Sequence, residues 1–356
     1  MKLNKLLFTV LAGSLFFVSC SSDDDNTTTP SGAYANGVIV LNQGNFTSGN
    51  ASVSFISNAF AVENNIFDAN LLGQPLGDTG QDIGLNGDFA YIVVNNSHKV
   101  EIVNRYTFAP IASLQTGLTN PRYITFENGK GYVTCWGVGE IAADDYIAVI
   151  DLATNTLTST RIPVAEGPEK IIAENGKLYV AHKGGYGMGT TISVINTTTN
   201  TVETTIEVGA IPGSLEAEDG TLYVLSEGYP YYASTETAGR LTRINLSNNR
   251  VVATTDFPNI THPSNLVIED NAMYYTIGTA VYKTDLLNTT LPITPLFNTS
   301  AQSVTGITAF DVEDDHIYVG SGSYTAAGKV NIYSLTGAPQ QSLTVGIAPA
   351  GFYFNN

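Results

Sequence analysis

The chain has 356 residues, with 15 Lys+Arg against 32 Asp+Glu, a formal net charge of −17, and only 13% charged residues. An acidic protein this poor in cations lacks the Lys and Arg that hold phosphate backbones, which excludes general nucleic-acid binding. With 34 Gly, 19 Tyr and 15 Phe, it is turn-rich and β-rich, against a helical bundle or coiled coil.

The first twenty residues read as a targeting segment. Lys2 and Lys5 form a basic start, the stretch 6–18 is apolar, and the run ends Phe17-Val18-Ser19-Cys20. It is too short to span a bilayer comfortably. A cysteine ending such a run resembles a bacterial lipobox, with Phe17 in place of the commoner Leu and Ser19 in place of Gly or Ala. The reading is a lipoprotein signal peptide over 1–19 and lipidation at Cys20, a membrane anchor by acyl chains alone. A flexible acidic linker follows over 20–35, opening Ser21-Ser22-Asp23-Asp24-Asp25. An acidic cluster directly after the cysteine resembles the export signal of Bacteroidetes surface lipoproteins, implying an outer-membrane, cell-surface location. With Cys20 acylated, Cys135 is alone, so neither an intrachain disulfide nor a Cys-based zinc site is expected.

Residues 36–356 read as one repeating domain. Glu127-Asn128-Gly129-Lys130-Gly131-Tyr132-Val133 recurs as Glu174-Asn175-Gly176-Lys177-Leu178-Tyr179-Val180, with further copies at 218–224 and 313–319 and weaker ones at 86–92 and 269–275. The anchor position falls at 39, 91, 132, 179, 223, 274 and 318, at intervals of 41 to 52 residues. Seven units of that length, each with four strands, predict a seven-bladed β-propeller. In blade four, for example, strand A follows Pro168, an Asn-Gly turn leads to strand B, strand C is Ile192–Ile195, and strand D runs Thr201–Ile206. The chain opens with a B-type strand and closes with a lone A-type strand, Pro349–Phe354. That last strand is expected to complete the first blade and close the ring, which removes exposed edges.

Turn lengths separate two faces. A–B and C–D turns are short and uniform, whereas B–C and D–A loops are long and irregular, the kind of loop that carries binding on a rigid scaffold. The long loops supply the ligand-binding candidates Asn42, Phe46, Trp136, Tyr186, Tyr229, Tyr231, Tyr232 and Tyr324, whose aromatic members would ring the channel mouth. Aromatic bodies with polar tips suit a large flat or amphipathic ligand. Arg122 and Lys170, each near the start of an A strand, would point toward the central funnel and meet an anionic group. His98 and His182 join the candidates because they fall on the same face. His262 also falls on this face without being a candidate, whereas His316 lies opposite. No HxH or HExxH spacing occurs, and neither a metal site nor a cofactor is expected. The acidic pairs, Asp144-Asp145 among them, lack calcium-loop spacing and read as solvated turns.

The opening Gly37-Val38-Ile39-Val40-Leu41-Asn42-Gln43-Gly44-Asn45-Phe46, with Ser48-Gly49-Asn50-Ala51-Ser52-Val53-Ser54, resembles the first blade of Bacteroidetes surface propeller lipoproteins. The Asn-Gly-Lys-Leu-Tyr-Val repeats resemble the wider YncE-like group of seven-bladed propellers. Among these, the BtuG-type proteins capture cobalamin (vitamin B12) at the cell surface and pass it to a TonB-dependent outer-membrane transporter. The resemblance therefore implies a monomeric, non-enzymatic corrinoid-binding lipoprotein. Two other readings stand beside it. One is an adhesive propeller that binds a glycan or a protein through the same aromatics. The other is a hydrolase or lyase, which would need carboxylates at matching A-strand positions. Those read Asp82, Arg122, Glu169, Gly213, Ser264, Gly306 and Ala350, only two of them acidic, so no enzyme is expected.

Overall fold

The computed structural model describes residues 32–71 and 73–355, so the signal segment and Cys20 lie outside the described residues. Seven four-stranded antiparallel sheets follow one another along the chain. The inner strands are Gly80–Asn86, Pro121–Glu127, Pro168–Glu174, Pro212–Glu218, Pro263–Glu269 and Ala309–Glu313 for blades two to seven. Blade one takes its inner strand, Pro349–Phe354, from the other end of the chain, paired antiparallel with Gly37–Asn42. The fold is the seven-bladed β-propeller that the repeat predicts, closed by the expected strand.

Period-two alternation explains why the blades stack. In Gly37–Asn42, Ile39 and Leu41 pack against Ile83, Ile92 and Val94 of blade two. Val38 and Val40 face the other way, against Val330 and Ile332 of blade seven. In Lys177–His182, Leu178 and Val180 meet blade three, and Tyr179 and Ala181 meet blade five. The core is thus seven apolar layers, one between each pair of neighbouring blades, rather than one centre. Packing also starts earlier than the expected boundary at residue 36. Tyr34 is buried, donates from its hydroxyl to Glu63 at 2.9 Å, and meets Phe55 and Phe108 edge-on.

The turns carry their own logic. Asn128 and Gly129, at φ 49° and 72°, make the A–B connection of blade three, as a two-residue hairpin with both φ positive requires. At the C–D turns, Asn155 and Asn249 take φ 52° and 58° and accept hydrogen bonds from the preceding blade, from Tyr91 at 2.7 Å and Tyr179 at 2.8 Å. One asparagine thereby shapes a turn and latches two blades. Tyr179→Phe, which removes only the donor, is expected to cost about 1 kcal/mol. Urea unfolding checks this, and an unchanged midpoint would show that the latch contributes nothing.

Candidate functional site

Most inner strands enter the channel through an irregularity, although Ala309–Glu313 of blade seven pairs without one. The register of the inner pair shifts between Gly80 and Asp82, Pro121 and Ile124, Pro168 and Ile171, Pro212 and Ser214, and Ser264 and Val267. A bulge interrupts strict alternation, so adjacent side chains reach the same space: Arg122 with Tyr123, and Glu169 with Lys170, all line one pocket. The bulged backbone is then tied down. Ile124 N–H donates to Asp82 at 3.0 Å and Leu266 N–H to Ser214 at 3.2 Å, each in the preceding blade, while Tyr123 N–H donates to Thr134 of its own blade at 2.9 Å.

At the mouth, on the long-loop face of blades three to five, a pocket of about 210 Å³ is formed by Arg122, Tyr123, Trp136, Glu169, Lys170, Lys183, Gly185 and Gly213. Trp136, the only tryptophan, donates from Nε1 to the carbonyl of Pro168 at 3.1 Å, which fixes its plane. The Arg122 guanidinium lies 4.3 Å from the indole centroid and pairs with buried Glu169 at 2.9 Å. Tyr186 meets the indole edge-on at 5.9 Å and is 78% exposed. Lys183 pairs with Glu227 at 2.9 Å. The result is a rigid aromatic shelf with charged hydrogen-bonding groups on its inner side.

Lys170 links this pocket to a deeper cavity of about 470 Å³ along the axis, lined among others by Asp82, Tyr123, Glu216, Asp311 and Tyr353. Among the described residues Lys170 forms no ion pair, and its Nζ stands 4.4 Å over the Tyr123 ring. Burial pulls its pKa down, but Tyr123, Asp82, Glu216 and Asp311 together hold it above the usual lysine value. Burial and the nearby Asp311 charge push Glu216 up to about 8. Burial likewise raises Asp311 to about 7, against the Val312 amide and Lys170. Asp82 is raised by burial, while Lys170, the Ile124 amide and the Tyr353 hydroxyl, 3.0 Å away, oppose the shift.

The candidates named from sequence divide sharply. Arg122, Trp136 and Lys170 come together in the mouth pocket, with Tyr186 against Trp136. Phe46, Tyr231, Tyr232 and Tyr324 are exposed but stand on blades one, five and seven without lining that pocket, and half-buried Tyr229 is held in its loop by its N–H bond to Thr237. His98 is exposed, and its Nδ1 accepts the Asn120 N–H at 3.0 Å.

Two candidates are corrected outright. Asn42 is not a loop residue but the fully buried end of a strand, bonded to Ser54 at 3.0 Å. His182 is 1% exposed, within 2.8 Å of Ser193, and burial lowers it to about 4, so it is a neutral packing residue. Asp145, read as part of a solvated turn, is buried, raised to about 6 by burial, and accepts the Gly167 N–H at 3.1 Å. The sequence reading also missed Glu216 and Asp311. It sampled one position near each strand start, and it set the blade-seven inner strand near 306, whereas that strand begins at Ala309. No group of three His, Cys, Asp or Glu among the described residues could hold a metal ion, and no described helix is long and apolar enough to cross a membrane.

Fold and site together define a seven-bladed propeller with a funnel open to solvent on its long-loop face. The chain belongs to the family described as "Domain of unknown function (DUF5074)", matched over residues 36–350. No curated protein matches the sequence. Among solved structures, it is similar to a Bacteroides fragilis protein provisionally described as a 6-phosphogluconolactonase, at 15% identity and TM-score 0.60, covering 92% of this chain and 100% of that one. Hydrazine synthase of Kuenenia stuttgartiensis is similar at 17% identity and TM-score 0.58, covering 76% and 88%. The computationally designed Ika8 protein is similar at 11% identity and TM-score 0.59, covering 90% and 92%. At such identities the likeness is one of fold alone.

Proposed function

We propose that this is a non-catalytic surface binding protein that captures a large amphipathic nutrient across the channel mouth and delivers it to a TonB-dependent outer-membrane transporter. The observation that carries the proposal is the Trp136 shelf, an indole locked by its bond to Pro168, backed by Arg122–Glu169 and edged by exposed Tyr186. A preorganised surface of this kind lowers the ordering cost of binding. Cobalamin or a related corrinoid is the specific candidate. The choice rests on the resemblance to BtuG-type proteins and on chemistry, because a broad ring rimmed with amides offers both stacking area and hydrogen-bonding groups. At about 210 Å³ the mouth pocket is small for a drug-sized ligand, so a corrinoid would rest across the shelf with one edge in the pocket.

Calorimetric titration with cyanocobalamin tests this. Arg122→Ala and Tyr186→Ala are each expected to weaken binding about tenfold, or about 1.4 kcal/mol, and Tyr231→Ala to leave it unchanged. The second reading, adhesion to a glycan or protein, draws on the Tyr231–Tyr232 pair, 5.3 Å apart and 81% and 70% exposed, away from the shelf. It predicts that cyanocobalamin does not bind.

A further inference from the structure

The long-loop face of blade five carries an arm, residues 229–238, whose tip exposes Tyr231 and Tyr232. Its two limbs close on each other at the base. Gly228, just ahead of the arm, takes φ 84°, and a Cβ there would lie 2.4 Å from the Thr237 carbonyl oxygen. Tyr229 N–H donates to the Thr237 hydroxyl at 2.9 Å, and Thr237 N–H returns a bond to the Tyr229 carbonyl at 3.0 Å. Beyond these limbs the tip bonds to itself: Ala233 N–H donates to the Pro230 carbonyl at 2.9 Å, and the two tyrosine rings meet edge-on. Among the described residues, one hydrogen bond joins the arm to anything outside it, from His262 to Glu236 at 3.0 Å.

His262 lies in the connection between blades five and six, directly before the inner strand Pro263–Glu269. Its Nδ1 stands 2.9 Å from the Glu227 carbonyl oxygen, and its Nε2 stands 3.0 Å from Glu236 Oε1. Both partners are acceptors. A neutral imidazole has one N–H and one bare nitrogen, so it can satisfy only one of them. The ring meets both contacts as the imidazolium, and loss of a proton sets a nitrogen lone pair against an oxygen lone pair. Of an imidazole and a carboxyl sharing a proton, the imidazole is the stronger base and keeps it.

We infer that this contact is a pH-operated latch: His262 holds the arm closed while its ring carries two protons and releases it when one is lost. The bond to Glu236 comes first among the causes that hold His262 above the usual histidine value; burial opposes it, while the Glu227 carbonyl and the charges of both carboxylates reinforce it. Glu227 is itself engaged by Lys183 of blade four, and Arg240, just past the arm, by Asp256. The latch is therefore fully closed below about pH 6.5 and opens as the pH rises through the folded-state value. Closed, it presents Tyr231 and Tyr232 in one fixed pose. Open, the arm keeps only its internal bonds. The latch does not depend on what the mouth pocket binds.

Hydrogen–deuterium exchange of the full protein at about pH 6 and about pH 8.5, corrected for the intrinsic pH dependence of amide exchange, tests the inference. The strand Thr191–Asn196 serves as the reference for opening of the whole fold. Relative to that strand, protection over 228–238 is expected to fall by about threefold or more at the higher pH. In Glu236→Gln the difference should vanish with protection retained, because an amide can donate to the neutral ring as well as accept from the charged one. In Glu236→Ala protection should be low at both pH values. Equal protection of the arm at the two pH values in the unmodified protein would overturn the inference. So would a pH dependence that survives in either variant, or nitrogen-15 spectra in which His262 titrates at or below the value of an ordinary histidine.

Discussion

Gly167→Ala is expected to destabilise the protein by about 3 kcal/mol or more. Gly167 sits at φ 64° in the connection between blades three and four, and a Cβ there would lie 1.8 Å from the Gly185 nitrogen and 2.5 Å from the Gly184 carbonyl carbon. Those are backbone atoms, which cannot rotate aside as a side chain could. The same residue staples two loops, donating its N–H to Asp145 at 3.1 Å and accepting the Lys183 N–H at 2.9 Å. The displaced segment carries Gly185 and Tyr186, so the change should also open the Trp136–Tyr186 contact. Thermal unfolding followed by circular dichroism, with Trp136 emission recorded alongside, checks both effects. A melting temperature within a degree or two of the unmodified protein would contradict the close approach of these loops.

Glu216→Gln has the second large effect, and its sign depends on pH. A carboxyl raised to about 8 in the folded state holds its proton more tightly than in the unfolded chain. Folding stability therefore rises as pH falls from about 8 toward the unfolded value near 4.3 and is lowest above pH 8. Asp311, raised to about 7, acts in the same direction. His182 opposes them in acid: lowered to about 4 by burial, it penalises the folded state progressively below about pH 6.5. The unmodified protein should thus melt several degrees higher at about pH 6.5 than at about pH 8.5. Glu216→Gln, which keeps the shape and removes the charge, should raise stability at the higher pH by on the order of 2 kcal/mol and flatten the dependence. Melting curves across this range decide it, and a Gln variant less stable than the parent at high pH would show that the carboxylate is held by favourable partners.

What the sequence made legible follows from how a propeller is built. The turn and the first residues of strand B do the same job in the blades that are continuous in sequence, as in Asn128-Gly129 and Asn175-Gly176 with the Tyr-Val that follows. Repetition therefore exposes blade number, strand order and the split first blade. The channel is different because its lining diverges from blade to blade: Asp82, Tyr123 and Lys170 hold matching places in three successive inner strands. The recurring register shift also breaks the parity from which an inward-facing residue would be counted, which hides Glu216, whereas Asp311 stands on a strand without a shift that begins later than the repeat suggests. Asn42 and His182 misled for a related reason. Both end strands on the long-loop face, where a polar residue looks loop-like, yet their side chains turn to Ser54 and Ser193 within the sheet. Of the loop aromatics, Phe46, Tyr186, Tyr231, Tyr232 and Tyr324 are exposed. Sequence position alone carries no information on which of them meet in space, and only Tyr186 joins the Trp136 shelf.

The most direct test of the account is a titration of the unmodified protein with cyanocobalamin, following the emission of Trp136, which is the only indole in the chain and the floor of the proposed site. The account predicts saturable one-to-one quenching at micromolar ligand or below, about −8 kcal/mol or stronger, with a parallel change in the corrin absorbance. Emission and absorbance unchanged up to tens of micromolar ligand, after correction for inner-filter absorption, would contradict corrinoid capture at this mouth.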